Sequence, residues 1–387
     1  MSRNLKIGLF LGAGASVPYN KPTTKHLRDK LMTKYHYTDV SYISKEQEYL
    51  NSILTFSNFY DIEDVLQCIK EIDDFFLNSK FGARYLLERV PELKFNDSRR
   101  PAHLSTFIDR IKKIRTMIEN DVFENYAWND NYDIALEEIL TSFFNILKKE
   151  NSKEIHIFTT NYDRAVEEFC SDSNKKYKCV DGFNRNEYNN RRLWSGNYNF
   201  PTEEDSTNVF LYKMHGSLSW KMHKKYGIES TSEETRSNDP NYIENLLIYP
   251  TISPKDGEEK EPYKTIREKF KEFMDIADIC IVIGFSFRDE HINEIFSSFL
   301  QRNKKIISIS NTADKNLFKN LLRKNIESEG SYNKIEEINT FFGNENNIIA
   351  INSNISKDNI QKISRIVNHI LNNDVKKKHD GKYSIPP

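Results

Sequence analysis

The sequence predicts an α/β fold, a Rossmann-like and mostly parallel sheet carrying a large helical insertion after its first strand. Three observations predict it. An apolar run from Leu5 to Leu11 stops at Gly12-Ala13-Gly14, which reads as a buried strand entering a tight turn. From about 21 to 149 the apolar residues keep a three-and-four spacing with no strand signal, the pattern of amphipathic helices. Beyond 150, short apolar runs alternate with helical stretches, as right-handed crossovers between parallel strands require. The expected division is therefore an α/β domain made of 1–20 and 150–387, with 21–149 as a helical insert module.

The elements follow in order. In the insert, Asp61-Ile62-Glu63-Asp64 opens a helix with acidic residues in its first turn, where the helix dipole favours them. Leu104 to Val122 and Ile134 to Leu147 carry apolar stripes of helical period. Strands are expected at Ile155–Thr160, Val209–His215, Leu246–Tyr249, Ile279–Phe285, Lys305–Ser310 and near Ile348. Helices are expected at Arg164–Cys170, Tyr263–Ile276 and His291–Arg302, with a last amphipathic helix from Ile360 to Leu371 and a frayed tail from Val375. The polar stretches Asn184–Asn199 and Glu229–Asn241 read as loops, and no internal repeat is visible.

Composition narrows the function. The 387 residues hold 56 Lys plus Arg against 57 Asp plus Glu, a net charge of −1. A generic wrapper of nucleic acid or a polybasic membrane binder is excluded as the main role. Cys68, Cys170, Cys179 and Cys280 form no CxxC pair, which fits neither a disulfide framework nor a zinc ribbon and suits a reducing, cytoplasmic location. Ile279–Phe287, the most apolar stretch, is too short to span a bilayer. Arg3 and Lys6 before an apolar run and small residues mimic a secretory signal, but the run is short for one.

Candidate chemistry sits at the expected strand ends, where ligands of open α/β sheets bind. Gly12-Ala13-Gly14-Ala15-Ser16 lets a backbone approach a phosphate closely, though GxGxxG and P-loop spacings are both absent. In Thr160-Asn161-Tyr162-Asp163, Asn161 offers a donor and an acceptor; Asp163 either contributes a carboxylate or caps the next helix. His215-Gly216-Ser217 presents an imidazole able to take a proton near neutral pH. Gly284-Phe285-Ser286 lacks the second glycine of a nucleophile elbow, since Arg288 stands there; a serine hydrolase is excluded and a ribose- or phosphate-binding turn remains. Asp289 reads as the cap of the following helix. Asn311, after Ile309-Ser310, suits a ribose hydroxyl or a turn. No cluster of carboxylates has metal-ligand spacing.

Taken in order, Gly12-Ala13-Gly14-Ala15-Ser16, Thr160-Asn161-Tyr162-Asp163, His215-Gly216-Ser217 and Gly284-Phe285-Ser286 resemble the sirtuin-like NAD-binding domain over about 5–20 and 150–315. Protein deacylases of that family carry a four-cysteine zinc module that these cysteines do not supply. The large helical insert and the missing zinc module resemble the bacterial anti-phage sirtuin-like effectors, which hydrolyse NAD+, and among them the partners of HerA-type ATPases; Thoeris-type effectors are related.

The resemblance implies an NAD+ glycohydrolase (NADase) of abortive infection and antiviral defence, releasing nicotinamide and ADP-ribose, with NAD+ as substrate and no metal. It assigns catalysis to Asn161 and His215 and nucleotide binding to Gly12, Ala13, Gly14, Ser16, Asp163, Gly284, Ser286 and Asn311. Asn161 would orient the ribose and the attacking water, and His215 would take a proton. A homo-oligomer and a HerA-type ATPase or phage trigger are the implied partners, with no nucleic acid and no membrane. Two other readings stand beside it: a catalytically silent NAD or ADP-ribose sensor, and a lysine deacylase without the zinc module.

Overall fold

The computed structural model describes residues 5–35, 44–55, 61–78, 104–127, 140–148, 154–172, 176–185, 191–199, 206–232, 240–247, 260–322, 330–335, 337–343 and 347–380. Expected features at 134–139 and 248–250 lie outside them.

Among the described residues the main sheet has nine strands. β1 (Ile7–Leu11) lies at its centre, with β2 (Glu154–Thr159), β6 (Thr207–Lys213) and β3 (Tyr177–Val180) on one side. On the other side come β10 (Ile279–Ile283), β11 (Lys305–Ser310) and β14 (Ile348–Asn352). All these neighbours pair in parallel; only β12 (Gly330–Ile335) and β13 (Ile338–Gly343) add antiparallel strands at one edge. The chain builds outward from β1 first one way and then the other, so the strand order reverses between β1 and β10. That reversal opens a crevice at the carboxyl ends of the two strands.

The central strands are apolar on both faces because helices cover both. Ile7, Leu9 and Leu11 pack with helical residues 140–148, the short helix Ala165–Ser171 and the last helix, Lys357–Asp380. Phe10 faces the other way, into a cluster with Phe270, Phe285 and Phe296 at ring-centroid distances of 5.6, 4.9 and 5.2 Å. Helices Tyr263–Ile276 and Glu290–Gln301 supply that layer. The last helix continues to Asp380, past the frayed tail expected from Val375.

Between β1 and β2, the described residues contain only helices: a 3-10 turn at Ala13–Tyr19, then α1 (Thr24–Tyr35), α2 (Lys45–Leu54), α3 (Ile62–Asn78), α4 (Leu104–Tyr126) and the segment 140–148. α1 to α4 enclose their own core of Leu27, Leu31, Leu50, Val65, Ile69, Ile114, Ile118 and Val122, and Tyr162 and Leu218 reach into it from the strand side. The segment 140–148 instead buries Leu140, Phe143, Phe144 and Leu147 against the main sheet.

Among the described residues, a second, antiparallel sheet of five strands takes in parts of both expected loops. Its order is β4 (Phe183–Arg185), β5 (Arg192–Trp194), β8 (Gly227–Ser230), β7 (Gly216–His223) and β9 (Tyr242–Leu247). The strand expected at Leu246–Tyr249 is the end of β9, paired antiparallel with β7 outside the main sheet. Trp220, Trp194 and Phe183 fill the sheet's inner face.

Candidate functional site

The turns after β1 and β10 interlock. The amide of Gly12 donates to Ile283 O at 2.8 Å and that of Gly14 to Gly284 O at 2.9 Å. A Cβ on Gly284, whose φ is +65, would sit 2.3 Å from Ala15 N, and one on Gly12 would sit 2.6 Å from Phe285 Cα. Only glycine fits both requirements at 284, the left-handed backbone and the close approach. The Gly12 and Gly14 amides are therefore engaged within the protein, and these glycines serve here as the contact between the two turns.

The turn after β2 joins them. Asn161 Nδ2 donates to Gly12 O at 3.0 Å and to Ser16 Oγ at 2.9 Å. Ser16 Oγ in turn donates to Asp163 Oδ2 at 2.7 Å, with Ser16 and Asp163 both buried. Asp163 Oδ1 accepts from the Ala165 amide at 3.0 Å, at the first residue of the helix Ala165–Ser171. With its amide nitrogen occupied, Asn161 has its carbonyl oxygen as the acceptor to present. A cavity of about 20 Å³ borders Ser16, Thr159, Asn161 and Asp163, room for one water.

His215 occupies the crossing from β6 to β7. Gly216 follows at φ +88, and a Cβ there would fall 2.1 Å from Leu246 O, so the chain reverses only with glycine at that position. His215 Nε2 lies 2.9 Å from Asp289 Oδ2, with the two side chains 7% and 8% exposed. Asp289 Oδ1 accepts from the His291 and Ile292 amides at 3.0 and 3.1 Å, capping the helix Glu290–Gln301. Burial pushes the Asp289 carboxyl up, but the hydrogen bond and charge of His215 and the Ile292 amide outweigh it and hold the group below the usual carboxylate range. An ionised carboxylate only accepts, so Nε2 carries a proton, and whenever the ring is neutral its lone pair is on Nδ1. That Nδ1 is buried and makes no hydrogen bond. The arrangement is a base with its tautomer fixed and its free nitrogen uncommitted.

The turn that delivers Asp289 is held against its own preference. Phe287 has φ +55, a conformation costing a bulky residue about 1–3 kcal/mol. Its buried ring is held by Phe285 and Phe296, at 5.1 and 5.6 Å between centroids. Asn293 Nδ2 donates to Phe287 O at 2.6 Å and Asn320 Nδ2 to Ser286 O at 2.7 Å. Ser286 thus lies in this turn, half-buried, whereas Asn311 is exposed at the end of β11.

Residues 155–329 match the family model of the SIR2-like domain. The match spans less than half of the chain. It takes in Asn161, Asp163, His215, Gly284, Ser286 and Asn311 and leaves out the Gly12–Ser16 turn. Among solved structures, a mutant Sir2 homologue in complex with 2'-O-acetyl ADP ribose is similar at 12% identity and a TM-score of 0.43, covering 94% of this chain and 92% of that one. A Sir2 homologue in complex with NAD is similar at 11% identity and a TM-score of 0.38, covering 94% and 90%. Likeness at these scores carries no argument about the site, which stands on this chain's own residues. No curated protein matched the chain.

The SIR2-like region and the turn after β1 converge on one crevice, but sequence reading missed several groups there. Lys213, 1% exposed, donates to the carbonyls of Tyr162, at 3.3 Å, and Asp163, and to Glu167 Oε1 at 2.9 Å. It holds the Asn161–Asp163 turn in place. A lysine inside the otherwise apolar Val209–Met214 run was the available signal. Asp289 was read as a cap alone. Asp61, Glu63 and Tyr126 belong to the helices between β1 and β2, and nothing local ties them to the strand ends. Among the described residues, no group of three or more His, Cys, Asp or Glu side chains is placed to hold a metal, and no helix is long and apolar enough to cross a membrane.

Proposed function

We propose that this chain binds NAD+ and hydrolyses its nicotinamide–ribose bond, as an NAD+ glycohydrolase. The observation that carries the reading is the fixed His215–Asp289 pair with an uncommitted Nδ1. A module that only holds a nucleotide has no need of an oriented base. The SIR2-like match over the same residues supports the nucleotide class.

The chemistry follows from the substrate. Nicotinamide departs as a neutral molecule from a cationic ring, so no acid has to protonate it. The transition state is an oxocarbenium-like ribosyl cation. His215 Nδ1 accepts a proton from a ribose hydroxyl or the attacking water, and Asn161 Oδ1 accepts a second hydrogen bond that orients it. Ser16 and the interlocked glycine turns form the floor on which the rest of the dinucleotide lies, with Ser286 and Asn311 towards the adenosine side.

The test is NAD+ loss by the purified chain, with chromatography of nicotinamide and ADP-ribose. Asn161→Ala and His215→Ala should each lower turnover by about 10²–10⁴ while the fold persists. Full activity in either folded variant removes the assignment. NAD+ that binds but survives in every condition moves the chain to the sensor reading. The proposed biological setting, depletion of NAD+ in infected bacteria by an oligomer working with a HerA-type ATPase, rests on the sequence resemblance. Comparing NAD+ levels and survival of infected cells carrying wild type or His215→Ala tests it.

A further inference from the structure

The helices between β1 and β2 reach the crevice through two elements. At the start of α3, Asp61 is fully buried, and its Oδ1 accepts from the amides of Glu63 and Asp64 at 3.0 and 3.3 Å. Its Oδ2 accepts from Thr24 Oγ1 at 3.0 Å and pairs with the guanidinium of Arg288. Arg288 is the residue before Asp289, so this pair seats the first turn of α3 beside the carboxylate that orients His215. At the end of α4, the Tyr126 ring meets Tyr162 edge-on at 6.1 Å, and Tyr162 lies between Asn161 and Asp163.

Glu63, in the first turn of α3, and Tyr126, at the end of α4, belong to these two contacts. The Glu63 carboxyl is acted on by Asp61, Arg288, Asp289 and Asp64. The Tyr126 hydroxyl is acted on by Glu63, Asp163 and Asp61. Tyr126 is 5% exposed, yet its hydroxyl makes no hydrogen bond. His215 Nδ1 is likewise buried and makes no hydrogen bond. Tyr126 thus stands by Asp163 of the Asn161–Ser16–Asp163 network, and Glu63 by Asp289 of the His215–Asp289 pair.

The charge around these two residues selects what binds beside them. Around Glu63 and Tyr126 stand the carboxyl groups of Asp61, Asp64, Asp163 and Asp289 and the guanidinium of Arg288. An anion is repelled there and a cation is attracted. The two ends of the proposed substrate differ in this respect: the pyrophosphate is anionic and the pyridinium ring is cationic.

We propose that Glu63 and Tyr126 form the wall of the site that receives the cationic nicotinamide end of the dinucleotide. This rests on the NAD+ reading above. The helices between β1 and β2 then contribute contacts to substrate, and the acidic first turn of α3 serves recognition as well as the helix dipole. Burial, then Asp61, hold the Glu63 carboxyl well above the usual carboxylate range against the pull of Arg288. A cation arriving beside it offsets that crowding of like charge.

The experiment compares two probes on the full chain. A carbocyclic NAD+ analogue keeps the pyridinium cation and is not cleaved; ADP-ribose lacks the cation. Glu63→Gln and Tyr126→Phe should weaken binding of the analogue by about tenfold or more and leave ADP-ribose affinity unchanged. Parallel loss of both probes, or wild-type affinity for both, overturns the proposal alone, because wild type still binds nucleotide. Wild type that binds neither probe overturns the NAD+ reading and the proposal together. Should Glu63→Gln fail to fold, Tyr126→Phe, which removes one unbonded oxygen, decides by the same comparison.

Discussion

Asp289→Asn isolates the orientation of His215 from everything else Asp289 does. In the native site Asp289 Oδ1 accepts from the His291 and Ile292 amides, while Oδ2 faces His215 Nε2 at 2.9 Å. Asparagine keeps Oδ1 as the helix cap and replaces Oδ2 by an amide that donates. Nε2 must then accept, and the proton moves to Nδ1, the atom proposed as the base. Shape is conserved and the base is lost, so NAD+ turnover should fall by about 10²–10⁴, equivalent to about 2.7–5.4 kcal/mol of barrier. Chromatography of NAD+ loss measures the rate, and the 15N shifts of the His215 ring report the tautomer directly. Near-wild-type turnover in a folded Asp289→Asn protein, or a wild-type ring already protonated at Nδ1, refutes the reasoning. Acid sensitivity gives an independent readout. The Asp289 carboxyl is held below its ordinary value, so its contribution to stability is complete above an unfolded pKa of about 3.9 and is lost as pH falls through the lower folded value. The asparagine variant should lack that part of the acid-induced loss, seen as a shallower fall of melting temperature below about pH 4.

Other perturbations follow from the same contacts. Lys213→Met leaves the Tyr162 and Asp163 carbonyls and the Glu167 carboxylate without their shared cation; denaturant titration should show a loss of about 3–5 kcal/mol. Gly284→Ala places a Cβ 2.3 Å from Ala15 N on a left-handed backbone; a loss of about 3 kcal/mol or more is expected, with nucleotide binding weakened in whatever folded protein remains. Glu63 carries a raised pKa, so the stability of its protonated form is full below the unfolded value and declines as pH rises through the folded one. Glu63→Gln removes that decline, and without ligand it should melt higher than wild type at neutral pH, by calorimetry.

The parallel sheet was legible because its strands are buried on both faces. Ile279–Ile283 and Lys305–Ser310 present unbroken burial, and such runs stand out in a sequence whatever their neighbours. Asn161, His215 and Gly284 follow the carboxyl ends of β2, β6 and β10 in turn. The second sheet was not legible for the opposite reason. Phe183–Arg185 and Arg192–Trp194 are three residues each, too short for a period to show, and their polar residues are those of loops. What makes them strands is the pairing of β4 with β5 and of β5 with β8, supported by Arg192 Nη2, which donates to both oxygens of Asp181 at 2.7 and 2.8 Å, and pairing is not written locally. The seat of α3 is likewise non-local: Asp61 and Arg288 are 227 residues apart.

Three aspartates show why a choice between cap and site residue was the wrong question to put to the sequence. Asp61, Asp163 and Asp289 each spend Oδ1 on amides at the start of a helix. Each spends Oδ2 elsewhere: on Thr24 and Arg288, on Ser16, and on His215. A carboxylate has two oxygens and about four acceptor positions, so a helix that begins at a strand end can be capped and can hold a side chain of the crevice with one residue. The cap fixes the carboxylate's position through the helix, and the helix is fixed by the core beneath it. For Asp289 that core includes Phe296 of the capped helix, packed on Phe10, which also meets Phe285. Local sequence shows only the first oxygen's partner, at two or three residues' distance; the second oxygen's partner lies 147 residues away for Asp163 and 74 for Asp289. In each case the half that local sequence conceals is the half that assembles the site.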